Sequence, residues 1–100
     1  HLWFMLCRAD GETMIPSGMA ALWMRSKTHW RIKGVFVAPE HRGFGVGAAW
    51  TRLATAFVDE QGIPFVEAFA ANPQHYEDLG FVCTRAKTAR QGPVMTLQLS

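Results

Sequence analysis

The residues best suited to chemistry form a glycine-rich run led by an arginine, Arg42-Gly43-Phe44-Gly45-Val46-Gly47. Glycines allow backbone angles and close approaches that a Cβ would forbid. Amides at the start of a helix carry partial positive charge, and an arginine can bond two phosphate oxygens at once. The run therefore predicts a cradle for a phosphorylated ligand, although an ordinary tight strand-to-helix connection also uses glycines.

Two well-known phosphate-binding turns fit this run less well. A dinucleotide-binding turn directly follows a strand and is completed by an acid near the tip of the next strand. Here four residues separate Val37 from Arg42, and the nearby acid Glu67 lies inside an expected strand. A Walker-type loop is excluded because no Gly-Lys-Ser/Thr follows the glycines.

The elements that must position the run follow from alternating apolar residues, helical periodicity and turn residues. Strands are expected at 2–8, 19–24, 30–37, 65–70, 81–85 and 94–99, and helices at 45–61 and 72–79. The order β-β-β-α-β-α-β-β predicts a single α+β domain over residues 1–100. Its sheet is mixed and mostly antiparallel, with a central β-α-β unit.

Two finer expectations concern strand 19–24 and the longer helix. The tripeptide Pro16-Ser17-Gly18 is expected to interrupt the chain before the second strand. In the helix, the spacing of one apolar set predicts a core stripe, and a polar set is expected on the opposite, solvent side. The core set is Val46, Trp50, Leu53 and Phe57, and the polar set is Thr51, Arg52, Thr55 and Asp59.

Composition narrows the class of protein. The formal charge of +2 comes without a block of lysines and arginines, which argues against nucleic-acid binding. No apolar run approaches the roughly 20 residues that span a bilayer. Cys7 and Cys83 have no metal-binding or redox spacing, so no metal is expected. Both lie in apolar strand-like runs and are expected to be buried free thiols, in keeping with a reducing, cytoplasmic setting.

Two motifs together resemble a known family. The run Val37-Ala38-Pro39-Glu40-His41-Arg42-Gly43-Phe44-Gly45-Val46-Gly47 is similar to the central motif of the GCN5-related N-acetyltransferases (GNAT). That motif reads Val-x-Pro-x-x-Arg-Gly-x-Gly-x-Gly/Ala and joins a strand to a helix. Downstream, Tyr76-Glu77-Asp78-Leu79-Gly80-Phe81 resembles the family's Tyr-Glu-x-x-Gly-Phe signature. Both motifs, in this order and with a helix and a strand between them, support each other.

The resemblance implies an acyl-CoA N-acyltransferase-like fold, with acetyl-CoA or another acyl-CoA as donor. By that analogy a direct transfer of the acetyl group to a primary amine is expected. The family pattern implies that the amides of Arg42, Gly43, Phe44, Gly45, Val46 and Gly47 hold the pyrophosphate. It also implies that the backbone of Val35, Phe36 and Val37 pairs with the pantetheine arm.

Tyr76 matches the family's general-acid tyrosine, whose phenol could protonate the CoA sulfur. A half-buried aromatic residue that anchors a short helix is the other interpretation of Tyr76. The general base is open among His29, Glu67, His75 and a bound water, and each of these residues, taken singly, is more typical of a structural role. Cys83 could suggest an acyl-cysteine route, but no partner is implied by spacing, and direct transfer is favoured.

Two polar features beside these motifs are explained by solvent exposure without any functional role. His41 precedes Arg42 and is expected to face solvent. Arg85, Lys87 and Arg90 form a basic rim that could touch an acidic acceptor or a phosphate, though a solvated loop is the favoured explanation.

The chain departs from the family pattern at its start, where the usual strand and two helices are expected to be missing wholly or almost wholly. One face of the sheet would then be uncovered, which predicts an apolar patch that a second copy could bury in a homodimer. The acceptor pocket would be open or built between subunits. A non-catalytic CoA-binding or protein-interaction module of the same fold is therefore the alternative to an enzyme, and a plain structural domain is a third possibility.

Overall fold

The predicted order of strands and helices is confirmed by the structure, a computed structural model that describes residues 1–99. The strands are β1 (Leu2–Asp10), β2 (Thr13–Trp23), β3 (His29–Val37), β4 (Phe65–Phe69), β5 (Val82–Arg85) and β6 (Val94–Gln98), and the helices are α1 (Val46–Glu60) and α2 (Pro73–Glu77). Ser100, the last residue of the predicted domain, lies outside the described residues.

The six strands form one sheet in the order β1-β2-β3-β4-β6-β5. Strands β3 and β4 are parallel, and every other neighbouring pair is antiparallel. Parallel neighbours need a crossover connection, which α1 supplies here. The mixed, mostly antiparallel sheet with a central β-α-β unit is therefore confirmed.

The core lies between α1 and one face of the sheet. The ring of Phe4 in β1 lies 5.0 Å from that of Trp50 and 5.8 Å from that of Phe57, both in α1. Because strand side chains alternate between faces, the neighbours of Phe4 in β1 point away from the helix. On that far face Trp3 and Met5 are exposed. Side chains buried in the core include Leu22, Ile32, Ala54, Val58, Val66 and Met95.

The predicted core stripe of α1 is wrong at two positions. Thr51 is buried, although it was expected to face solvent, and Leu53 is 67% exposed, although it was expected in the core. The Thr51 hydroxyl donates to the carbonyl of Gly47 at 3.0 Å, so its burial leaves no polar group unpaired. Leu53 lines an apolar groove of about 490 Å³ between β1 and α1.

The predicted break at Pro16-Ser17-Gly18 is also wrong, because β2 runs through this tripeptide. Leu6 pairs with Gly18 and Cys7 pairs with Pro16, so Ser17 is an extra residue opposite β1. Such a bulge leaves one residue out of the ladder and tolerates a proline that cannot donate a hydrogen bond. The Ser17 hydroxyl donates to the Leu6 carbonyl at 3.1 Å and fixes the bulge.

The two cysteines are exposed, which corrects the expectation of buried thiols. Alternation along β1 places Cys7 on the same face as Trp3 and Met5, away from α1. Cys83 lies in β5, an edge strand whose four residues are all exposed. An apolar run in the sequence did not reveal which face or edge of the sheet each cysteine would occupy.

Gly18 marks the closest approach of β2 to β3, and its replacement tests this part of the sheet. A Cβ at Gly18 would lie 2.1 Å from the carbonyl oxygen of Phe36. We expect Gly18→Ala to lower the free energy of unfolding by about 1–3 kcal/mol, measured by urea denaturation. Gly47→Ala is the matched control, since a Cβ there meets nothing within 4 Å, and it should be neutral or gain up to about 1 kcal/mol. Equal stability of the two variants would contradict the close approach.

Candidate active site

The glycine run forms a tight turn between β3 and α1. Pro39–His41 make one turn of 3₁₀ helix, and the Arg42 amide donates to the Pro39 carbonyl at 3.3 Å. Gly43 and Gly45 then adopt φ angles of 86° and 74°, in the left-handed region that glycine accepts without steric cost. Gly45 is the N-cap residue of α1, so the glycines set the direction in which the helix starts.

The amides after this turn point to an open space. The first backbone bond of α1 runs from the Ala49 amide to the Gly45 carbonyl at 3.0 Å, and within residues 1–99 no backbone carbonyl accepts from the amides of 43–48. A cavity of about 360 Å³ is bordered by Gly43 and by residues 45–48, and its other walls include Val37, Arg42 and His75. Free amides at the positive end of a helix are suited to bind an anion.

Arg42 is held at the mouth of this cavity by its own side chain. Its Nε donates to the Val37 carbonyl at 3.0 Å, at the end of β3. The guanidinium nitrogens beyond Nε have no hydrogen-bond partner among residues 1–99, and the residue is exposed. Arg42 therefore keeps its charge available to a ligand while its stem is anchored.

Arg8 of β1 contacts two residues of the turn region, and the sequence did not predict these contacts. Its guanidinium carbon lies 4.2 Å from the centroid of the Phe44 ring, and its Nε donates to Nδ1 of His41 at 3.0 Å. His41 was expected to face solvent, but it is partly buried and accepts this bond. No local pattern marks Arg8, because the contact depends on the register of β1.

Strands β3 and β4 part in the middle of the sheet. Their pairing ends at Ile32 and Ala68, while β3 stays paired with β2 as far as Val37. An extra residue on β3 between Lys33 and Phe36 accompanies the parting. From residue 33 to 37 the β4-facing edge of β3 has no strand partner within residues 1–99, and an unpaired edge can accept an extended ligand as an added strand.

A cavity of about 250 Å³ lies where the two strands part, lined by Ile32, Lys33, Val35, Phe69 and Tyr76. Tyr76 belongs to α2, which starts after Asn72 with Pro73 at its first position, as the sequence predicted. The Tyr76 ring packs edge-on against Phe81 at 5.3 Å. Burial raises the pKa of the Tyr76 phenol above its ordinary value of 10.0, so the phenol keeps its proton at neutral pH.

The three candidate bases do not meet at this cavity. Glu67 is buried and forms ion pairs with Arg25 and with Arg31, the latter at 2.9 Å. Its carboxylate is therefore already paired with two cations and is poorly placed to accept a proton from a substrate. His29 stacks on Phe65 at 4.6 Å at the start of β3, the opposite end from the parting. His75 lies 5.0 Å from the Tyr76 ring but lines the cavity at the glycine turn instead.

Comparison with known proteins agrees with this geometry. The model of the acetyltransferase (GNAT) family matches residues 1–81. The chain belongs to the GNAT acetyltransferase family. At the level of the family it is an acetyl-CoA acetyltransferase. A search of curated protein sequences finds no match.

Solved GNAT structures share the fold. A Mycobacterium tuberculosis protein in complex with CoA superposes with a TM-score of 0.78 and 16% identity over 98% of this chain and 76% of its own. An Elizabethkingia anophelis GNAT acetyltransferase with acetyl-CoA bound superposes with a TM-score of 0.75 and 16% identity, over 94% of this chain and 74% of its own. The ribosomal-protein-S18-alanine N-acetyltransferase of Escherichia coli superposes with a TM-score of 0.71 and 20% identity, over 99% of this chain and 69% of its own. The acyl-CoA N-acyltransferase-like fold is thereby confirmed.

The described part of the chain, residues 1–99, carries neither a metal-binding cluster nor a membrane-spanning helix. Within this part of the chain no group of three or more His, Cys, Asp and Glu side chains could hold a metal ion. None of the helices described is long and apolar enough to cross a bilayer.

The ion pairs of Glu67 generate a prediction that separates a structural role from a catalytic one. Glu67→Gln leaves Arg25 and Arg31 without their counter-charge, and we expect it to lower the free energy of unfolding by about 3 kcal/mol. Asp59→Asn, which changes an exposed carboxylate of α1, should stay within about 0.5 kcal/mol of the wild type in the same denaturation experiment. A large loss of turnover in Glu67→Gln with unchanged stability would instead restore Glu67 as the base.

Proposed function

We propose that this protein transfers the acetyl group of acetyl-CoA directly to a primary amine. The observation that carries the proposal is the continuity of three features along the second half of β3. The unpaired edge of residues 33–37 leads from the cavity beside Tyr76 to the free amides of the glycine turn. A donor with a phosphorylated end and an extended arm fits such a path.

The residues of this path have distinct roles in holding the donor. The amides of Gly43, Phe44, Gly45, Val46 and Gly47, with the guanidinium of Arg42, bind the pyrophosphate. The exposed backbone at Val35, Phe36 and Val37 pairs with the pantetheine arm. Open space beyond the glycines supports these assignments, since a Cβ added at Gly43, Gly45 or Gly47 meets nothing within 4 Å. The CoA and acetyl-CoA in two structural neighbours support them as well.

Tyr76 supplies the proton for the leaving group. The amine nitrogen forms a bond to the acetyl carbon, the bond from that carbon to sulfur breaks, and the sulfur takes the phenolic proton of Tyr76. The amine gives up its own proton to solvent. Direct transfer is supported by the position of Cys83, which lies on the exposed edge strand β5 with its thiol directed to the Arg85 carbonyl at 3.4 Å.

A non-catalytic CoA-binding or protein-interaction module remains the second candidate. The observation that favours it is the position of His29, Glu67 and His75, none of which lines the cavity beside Tyr76. Consumption of the thioester with a panel of amines distinguishes the two, because a binding module would retain CoA affinity without turnover.

The expected homodimer also stays a prediction. Its support is the exposure of large apolar side chains on β1 and β2, among them Trp3 and Met19. A second copy of the chain could cover them.

The glycine turn can be tested with a pair of variants that carry the same backbone strain. Gly45 and Gly62 have φ angles of 74° and 76° with open space around them, but Gly62 follows α1 at its far end. We expect Gly45→Leu to abolish acetyl-CoA binding in titration calorimetry, because its side chain fills the space in front of the amides. Gly62→Leu should lose comparable stability and keep its CoA affinity. Unchanged CoA affinity in Gly45→Leu would overturn the assignment of the turn.

Tyr76→Phe tests the proposed acid, since it removes the hydroxyl and keeps the ring that packs on Phe81. We expect kcat to fall by about 100-fold, with little change in the Kd of acetyl-CoA. Because the pKa of Tyr76 is raised, wild-type turnover should persist to pH values above 10.0 and fall only as the phenol ionises. The variant should lack this alkaline fall at pH values where circular dichroism shows both proteins folded. Equal turnover of the two proteins would remove Tyr76 as the acid.

A further inference from the structure

The cavity beside Tyr76 is next to an unusual concentration of positive charge. Building on the acetyl transfer proposed above, we propose that the acceptor amine also bears a carboxylate and that Lys33 binds this carboxylate. The acceptor class is then a small amino acid rather than a polycationic amine.

Lys33 lies at the cavity in which the proposed transfer would take place. It is the first residue of β3 after the pairing with β4 ends, and it lines the same cavity of about 250 Å³ as Tyr76. Its Nζ lies 4.9 Å from the centroid of the Trp23 ring. Within residues 1–99 no carboxylate lies within 4.0 Å of that nitrogen, so its charge is free to pair with a ligand.

Among residues 1–99, Glu67 is the carboxylate that forms ion pairs, and both pairs are with arginines, Arg25 and Arg31, rather than with Lys33. The guanidinium carbon of Arg31 lies 4.3 Å from the centroid of the Phe69 ring, which forms another wall of the cavity. Arg85 lies 5.9 Å from the same centroid, and its Nη2 donates to the neutral side chain of Gln91 at 3.1 Å. Within residues 1–99, Glu67 is therefore paired with two arginines, whereas Lys33 and Arg85 form no ion pair.

The positive electrostatic potential of these side chains selects among acceptor amines by their charge. A second ammonium group on the acceptor would be repelled, whereas a carboxylate would gain a charge-assisted hydrogen bond from Lys33 in a partly desolvated cavity. The same positive surroundings favour the neutral, nucleophilic form of the reacting amine over its ammonium form. Selection of an amino carboxylate therefore also assists the attack on the thioester.

The experiment compares acceptors of different charge, among which alanine and alaninamide are the matched pair that differs at the carboxyl group alone. Initial rates are measured with acetyl-CoA and alanine, alaninamide, the dipeptide Ala-Asp or spermidine, for the wild type, Lys33→Met and Lys27→Met. Lys27 is an exposed lysine in the turn between β2 and β3, and its variant makes the same charge change away from the cavity. We expect the wild type to prefer alanine over alaninamide and spermidine in kcat/KM. Lys33→Met should lose about 10- to 100-fold with alanine and little with alaninamide, and Lys27→Met should match the wild type.

The other outcomes separate this inference from the proposed activity. Turnover that prefers spermidine or alaninamide, or a preference for alanine that survives in Lys33→Met, overturns the inference and leaves the acetyltransferase standing. A preference for Ala-Asp over alanine that is lost in Lys33→Met supports carboxylate binding but assigns it to a peptide acceptor. If no amine turns over, calorimetry of N-acetylalanine with the CoA-loaded protein decides, because affinity that is lost in Lys33→Met supports the inference and its absence overturns it.

Discussion

The parting of β3 from β4 after Ile32 is the constraint on which the rest of the structure depends. Before that point the two strands are held together from both faces of the sheet. The buried side chains of Ile32, Val66 and Ala68 pack on one face, and the ion pair of Arg31 with Glu67 lies on the other. Beyond it, β3 follows β2, which Gly18 allows to approach closely. The parted strands leave an unpaired edge that leads from the cavity beside Tyr76 to the glycine turn.

Glu67 shows how one buried group serves both the fold and the charge of the site. Glu67 lies in β4, and its carboxylate forms one ion pair with Arg25, just after the end of β2, and another with Arg31 in β3. A buried carboxylate is costly unless it is fully paired, so two arginines converge on it. Because Glu67 is paired with two arginines, Lys33 and Arg85 have no ion-pair partner within residues 1–99 and keep their charge close to the cavity.

The sequence predicted the order of elements and the glycine turn because both depend on residues close together in the chain. Helical spacing, the proline before the turn and the glycines within it act locally. The errors arose where a distant part of the chain determined the outcome. Pro16 stays within β2 because Ser17 bulges against β1. Thr51 is buried because the buried face of α1, which includes Ala54 and Val58, is rotated from the predicted stripe. The same rotation leaves Leu53 exposed.

The sequence by itself determined the cradle, since the left-handed glycines and the free amides at the start of α1 lie within seven consecutive residues, 42–48. Only the tertiary structure decided what surrounds that cradle. Arg8 meets His41 across 33 residues of chain, and Arg25 meets Glu67 across 42, so neither pairing can be read from local spacing. Strand register and the choice of sheet face bring such residues together, and both are set by packing of the whole sheet against α1.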